Sequence, residues 1–548
     1  MFDTPAPAPA DGPLRVEVEA QPAHQALVAR ATASLLTLPV IKRDFPGADL
    51  WLIAYDIFDK PSPSGSPSGE HGDAHPPFVG TVQDMESGRV LEVRGLLDEP
   101  DTYALEYTAR QPPPTDDEFA WAVAEVGPAE GTEVYRPLPP LGNIEHPDGT
   151  VDRVIVVGLR APDGGHRLIG VRSSDGEVFE PPPGVTVPAG PEHGVPRGPA
   201  MPPAQPLPSA GARALPQVTG DQQARVRVLR GDALLWDLVV VRPSASSGAN
   251  GSGVELRTVD YLGKRVLNRG HLPVLNVEFA DGGVQRLWQN AEAGFEAAGD
   301  DPVPGFRLCS EPPRTILAAD SESGGFLGVA LWLDGDDLVV VSQVEAGWHR
   351  YVSEWRLGAD GSIRPRLGFG AVQNPSTGRP HVHHAYWRLD FDIPDALNNA
   401  VQEHNDPPMT GFGRLQTIRY ETRRPRSAAH GRFWQVRDDR FGRAYVVVPG
   451  ADDGEAGAFG AGDLWVLRYS ELEIDDGEGI TSDPLRARAQ IDRFLNGDPV
   501  HREDVVLWYA AHSDAGAPVG PDLNPRFWRP ERDPQAEPYE PLDLSRDR

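Results

Sequence analysis

A chain of 548 residues is too long for one compact core, and it calls for two or three small domains or one large β domain with additions. Its 58 Gly and 57 Pro, with Val, Leu and Trp recurring in short alternating runs, exclude a long-helix architecture and read as many strands joined by turns. A formal charge of −30 argues against a nucleic-acid partner, because phosphate binding needs a cationic footprint that releases counterions.

In chain order, residues 1–25 are Pro/Ala-rich and read as a mobile tail without a basic and apolar leader, so the expectation is a cytoplasmic protein. No run of about 18 apolar residues is present to span a bilayer. Residues 26–135 form the first expected unit, a small α/β domain: strands over 49–59 and around 105–108, a Ser/Pro/Gly/His loop over 61–77, and a short helix over 116–126. Residues 136–182 form a second small unit, a hairpin pair whose turns are supplied by Asp163-Gly164 and Asp175-Gly176. The proline density of 183–222 suits a semi-extended linker, since proline cannot donate to a strand ladder. Residues 223–548 then make the main domain, strand-and-turn sequence to about 512, with a second short helix over 483–495 and a polar, Pro-rich tail along the surface. The fold class is mainly β.

The segment richest in chemistry is Arg379-Pro-His381-Val-His383-His384-Ala-Tyr-Trp-Arg388-Leu-Asp390-Phe-Asp392. Side chains two apart on a strand share a face, so His381 and His383 present two imidazoles together while His384 faces away. Such a pair suits Cu(II) or Zn(II), although the same spacing also arises on exposed strands that hold no metal. Asp390 and Asp392 likewise share a face, as a solvated acidic patch or as oxygen ligands for a hard cation. His71, His75, His404, His430 and His501 lie in polar or Gly/Pro-rich sequence and read as solvated, and Cys309 reads as a small buried side chain.

An H-x-H pair followed at this offset by R-x-D-x-D resembles the copper amine oxidases. Further matches occur in order: Val254 to Leu267, Ser427 to Gly450, Asp463 to Tyr469 and Glu503 to His512, so that the resemblance covers roughly 223–530. It implies a large C-terminal β-sandwich with two small N-terminal α/β domains, His381, His383 and His512 as copper ligands, and a homodimer. It also implies a peripheral calcium-type site from Asp390, the carbonyl of Phe391, Asp392, Asp504 and the carbonyl of Val505.

The departures bear on function. The family carries an N-Y-D/E-Y stretch whose first tyrosine becomes topaquinone; anchoring on Trp355 places Trp348 at the asparagine, His349 at the precursor and Tyr351 at the second tyrosine. Imidazole cannot become a quinone, which argues against topaquinone unless the register slips to make Tyr351 the precursor. His349 then stands as an added metal ligand. The family's general base matches Glu292, with a surface carboxylate as the competing reading. The approach to His512 is shorter than in relatives, which end it in a His-His pair. Three functions follow: a copper-dependent oxidase using O2 on a small-molecule substrate, an amine among the candidates; a quinone-dependent primary amine oxidase; and a non-catalytic metal-binding scaffold.

Overall fold

The computed structural model describes residues 12–44, 50–57, 77–84, 90–108, 114, 116–137, 141–147, 151–162, 166–180, 182 and 222–526. The last run omits 249, 281, 287–290, 320–323, 347–348, 372–379, 410–412, 441, 471–472 and 515–517. The loop expected over 61–77 with His71 and His75, the linker and Trp348 thus fall outside the described residues, apart from Pro77 and the linker's last residue.

Two large sheets dominate, one of ten strands and one of eleven. Their facing surfaces enclose a single apolar layer that includes Trp236, Trp355, Trp387 and Trp434, so the alternating runs read from the sequence resolve into an inner and an outer face. In the ten-stranded sheet, Lys264–Phe279, His381–Phe391 and Val505–Ser513 are consecutive neighbours. Parity is explicit along His381–Phe391. Ala385, Trp387, Leu389 and Phe391 enter the inter-sheet core, whereas Tyr386 joins a second cluster with Trp465, Val506, Trp508 and Ala510 on the outer face.

The eleven-stranded sheet carries Asp337–Ala346, His349–Gly358 and Ile363–Ala371 as an antiparallel meander. Next to that meander lies Asp522–Arg526, which pairs on its other side with Ala444–Val448 and so joins the two halves of the sheet. This corrects the expected surface tail: Leu523 is fully buried between the sheets. Pro525 is tolerated because the ladder to Ile363–Ala371 consists of the one pair Ile363 with Leu523, so the missing donor falls where that neighbour is no longer paired.

The N-terminal tail is corrected in the same way. Leu14–Ala20 pairs antiparallel with Gln223–Arg230 as the edge strand of the ten-stranded sheet. Leu14, Val16 and Val18 pack on the core, while Glu17 and Glu19 meet Arg227 on the other face. This is ordinary period-two alternation within a Pro/Ala-rich neighbourhood.

Two small units precede the sandwich. Helices Pro22–Thr37 and Pro39–Asp44 cover a four-stranded sheet through Ala31, Leu35, Leu38 and Ile41 against Phe78, Val82, Leu91 and Val93. The longer helix was not read from the sequence. Helix Asp116–Val126, which was, packs Ala122 and Val123 on the hairpin Val154–Arg160 and His166–Arg172, and a buried Arg153–Glu118 pair at 2.8 Å fixes it there. In the expected helix 483–495 only Pro484–Ala487 and a 3-10 turn, Ile491–Phe494, form.

Candidate metal centre

The strand His381–Phe391 sends His381 and His383 toward the inter-sheet layer, and facing them from the other sheet are His349 and Tyr351 at the start of His349–Gly358. Both pairs are two residues apart on a strand, so each sheet contributes two side chains to one place. His349 is 4 % exposed and His383 2 %, whereas His381 is half-buried and marks the open side of the site. The ring centroids of His381 and His383 are 4.8 Å apart, and His349 lies 5.5 Å from the first and 5.6 Å from the second. One nitrogen from each of the three rings falls within a set spanning no more than 4.8 Å.

Aromatic side chains seal the cluster. Phe369, paired with Tyr351 in the neighbouring strand, packs against His383 at 3.7 Å between centroids, and Phe279 packs 5.6 Å from His381. Burial therefore works against imidazolium: it holds His349 at about 3, with the neighbouring His381 adding to the effect, and it holds His383 well below the ordinary histidine value. Neutral imidazoles are what a transition metal requires.

Hydrogen bonding points the same way. Neither ring nitrogen of His349 meets a partner among the described residues, and Nδ1 of His383 is likewise orphaned. Leaving buried polar atoms unpaired costs about 1–3 kcal/mol each, which a metal ion would recover. Nitrogens around a tetrahedral ion at about 2.0–2.1 Å stand roughly 3.4 Å apart, so nitrogens that lie within 4.8 Å of one another need to close by at most about 1.4 Å to share one. The donor set fits copper or zinc.

His512 is not part of this set. Its strand pairs with His381–Phe391 so that His384 is opposite His512 and His383 is opposite Ser513. Cross-strand partners share a face, which places His512 on the outer face with His384. There the two Nδ1 atoms meet at 2.8 Å, and Nε2 of His512 lies 3.2 Å from Asp463 Oδ1 and 3.2 Å from the Gly462 carbonyl. The expectation that His384 faces away from His381 and His383 holds; His512 faces away with it. The residue opposite His383, Ser513, has no imidazole to offer.

Glu292 is neither a free base nor a surface residue. Its carboxylate accepts from Arg242 at 2.6 and 3.1 Å and from the Ser244 hydroxyl at 2.7 Å, with the ion pair almost fully buried. Tyr351 is fully buried, its phenol is pushed well above the usual tyrosine range by burial, and its Oη lies 2.9 Å from His383 Nε2.

At the far end of the same strand, Asp390, Asp392 and Asp504 are all buried and bring one oxygen each within 4.8 Å. Phe391 and Val505, whose carbonyls the resemblance adds to this group, are direct cross-strand partners. Among the remaining residues, Cys309 is buried and its thiol is pushed up to about 11 by burial.

No family model and no curated protein matches the sequence. Solved structures do. A copper-containing benzylamine oxidase from Hansenula polymorpha superposes with a TM-score of 0.53 at 11% identity over 92% of this chain and 96% of that one. Lysyl oxidase of Pichia pastoris gives a TM-score of 0.51 at 12% identity over 94% and 90%. No helix among the described residues is long and apolar enough to cross a membrane. From the N-terminal units to the last strand of the sandwich, the chain has the fold of the copper amine oxidases.

Proposed function

We propose that the protein is a copper-binding oxidoreductase in which His349, His381 and His383 hold the metal and no topaquinone is formed. The observation that carries this reading is the convergence of three imidazoles from two facing sheets, two of them buried and one half-buried, with His349 at the position the resemblance gives to the quinone precursor. Copper held there would supply one-electron chemistry with O2 on a small-molecule substrate, with an amine as the class favoured by the fold. His349 and His383 bind from within the water-excluded layer, and Phe369 and Phe279 keep their side of the site apolar. Half-buried His381 gives the approach for O2 and substrate. Glu292, tied to Arg242, is not available to take a substrate proton, so a base has to come from elsewhere. The acidic triad is the natural place for a structural calcium ion, and a homodimer remains the assembly expected of the fold.

One observation favours a second reading: Tyr351 Oη lies 2.9 Å from Nε2 of a candidate ligand, which supports the register in which Tyr351 is the quinone precursor. Aerobic reconstitution with copper followed by phenylhydrazine separates the two: no coloured adduct is expected, and a visible hydrazone would transfer the assignment to Tyr351. Failure to retain any transition metal would leave a scaffold without redox chemistry.

A further inference from the structure

We infer that His383 binds the metal through Nδ1, and that Tyr351 is the positioning residue that selects this nitrogen by occupying Nε2. The inference rests on the proposed metal centre and refines it. Three observations converge. Tyr351 Oη lies 2.9 Å from His383 Nε2, so that nitrogen is already engaged. Nδ1 of the same ring is buried and meets no donor or acceptor among the described residues. Phe369 packs against the ring at 3.7 Å between centroids, tilted by 34°, which resists the half-turn that would exchange the two edges.

The chemistry then follows from the inventory of imidazole. A ring that gives its Nδ1 lone pair to a metal carries its proton on Nε2, so Nε2–H donates to the Tyr351 oxygen. That contact restrains the ring's rotation about χ2 before metal arrives, and metal at Nδ1 then sets the tautomer, since the phenol can accept from Nε2–H as readily as donate to a bare Nε2. Tyr351 suits the role because its fully buried phenol oxygen lies within hydrogen-bond distance of Nε2 and can accept from it. Tyr351 and His349 project from the same strand two residues apart, and their rings lie 5.8 Å apart at 22°, so the residue that orients His383 is built on the same strand as the ligand opposite it. Removing the hydroxyl leaves Nε2 buried and unpaired and allows the ring to present either edge.

The test uses the full-length chain labelled with 15N-histidine and loaded with zinc, which is diamagnetic and takes the same donors. Long-range 15N–1H correlations, assigned with His383→Gln, report which nitrogen is metallated. The expected result is a His383 pattern with Nδ1 bound and a protonated Nε2 that exchanges slowly. In Tyr351→Phe, which keeps the ring and its packing, zinc stoichiometry is expected to be retained with affinity weakened by about 10–100-fold, and the slow Nε2 proton to disappear. A His383 metallated at Nε2, or a Tyr351→Phe affinity within a factor of about two of the parent, overturns the inference while leaving the metal centre standing. A parent protein that binds no zinc and no copper overturns both.

Discussion

Replacing His349 with leucine sets two opposing effects against each other. A neutral imidazole has one donor and one acceptor, and neither nitrogen of His349 meets a partner among the described residues. At about 1–3 kcal/mol for each buried group left unpaired, the metal-free protein carries a penalty of roughly 2–6 kcal/mol at this one side chain. Leucine removes both groups at similar volume, and imperfect fit returns up to about 1.5 kcal/mol. The metal-free His349→Leu protein is therefore expected to be more stable by roughly 0.5–6 kcal/mol, seen as a rise in melting temperature. Metal reverses the order: at a thousand times its dissociation constant a ligand adds about 4.1 kcal/mol to the parent, and this gain is expected to vanish in the variant.

Acid adds an independent signature to the same substitution. The folded protein holds His349 neutral down to about 3, against an ordinary value of 6.5, so between those limits the unfolded chain binds the extra proton. Stability of the metal-free parent then falls as pH drops through this window, by about 1.4 kcal/mol per pH unit for this histidine. The variant loses that share of the slope. Tryptophan fluorescence reads the transition directly, because Trp355 and Trp387 are buried in the same inter-sheet layer. A metal-free variant less stable than the parent at pH 7.5 and equally steep in acid, or one that copper still stabilises by the parent's increment, would refute the reasoning.

Three further outcomes are expected. Glu292→Ala leaves Arg242 buried without its carboxylate and should cost about 3–5 kcal/mol, seen as a lowered melting temperature even in metal-free protein; an unaltered melt would return Glu292 to the role of a free residue. Millimolar calcium should raise the melting temperature of the parent, whereas Asp504→Asn should be more stable than the parent in chelator and no longer respond to calcium, since one of three crowded carboxylates has lost its charge. Deleting residues 1–20 should lower stability and promote association measurable by light scattering, because it bares the ladder edge of Gln223–Arg230 that Leu14–Ala20 covers.

The mainly β class was legible because short alternating runs are joined by turns that carry Gly and Asp, the sandwich came from the resemblance, and the shared face of His381 and His383 followed from strand parity alone. The place of His349 was legible only through the resemblance, since nothing local in its sequence announces a ligand. His512 was misplaced for a different reason. Which face it occupies depends on the register between two strands separated by more than a hundred residues, and a one-residue slip would have put it beside His383 where Ser513 now lies. That register is fixed by packing, with Trp508 and Ala510 outward and Tyr509 and Ala511 inward, a choice that sequence alternation in an almost wholly apolar strand does not disclose. Both terminal strands were missed because proline-rich flanks outweighed the short alternation of Leu14–Ala20, and because the polar, Pro-rich sequence after about 512 reads as a surface tail. The buried state of Glu292 depends on Arg242 and Ser244, fifty and forty-eight positions away, and so was equally out of reach of local sequence.

Copper content per chain, measured after aerobic loading and exhaustive dialysis in single alanine variants, tests the central claim most directly. One copper per chain is expected in the parent and in His512→Ala, and its loss in His349→Ala, His381→Ala and His383→Ala. Copper retained without His349 but lost without His512 would contradict the account and restore the outer-face histidine to the metal.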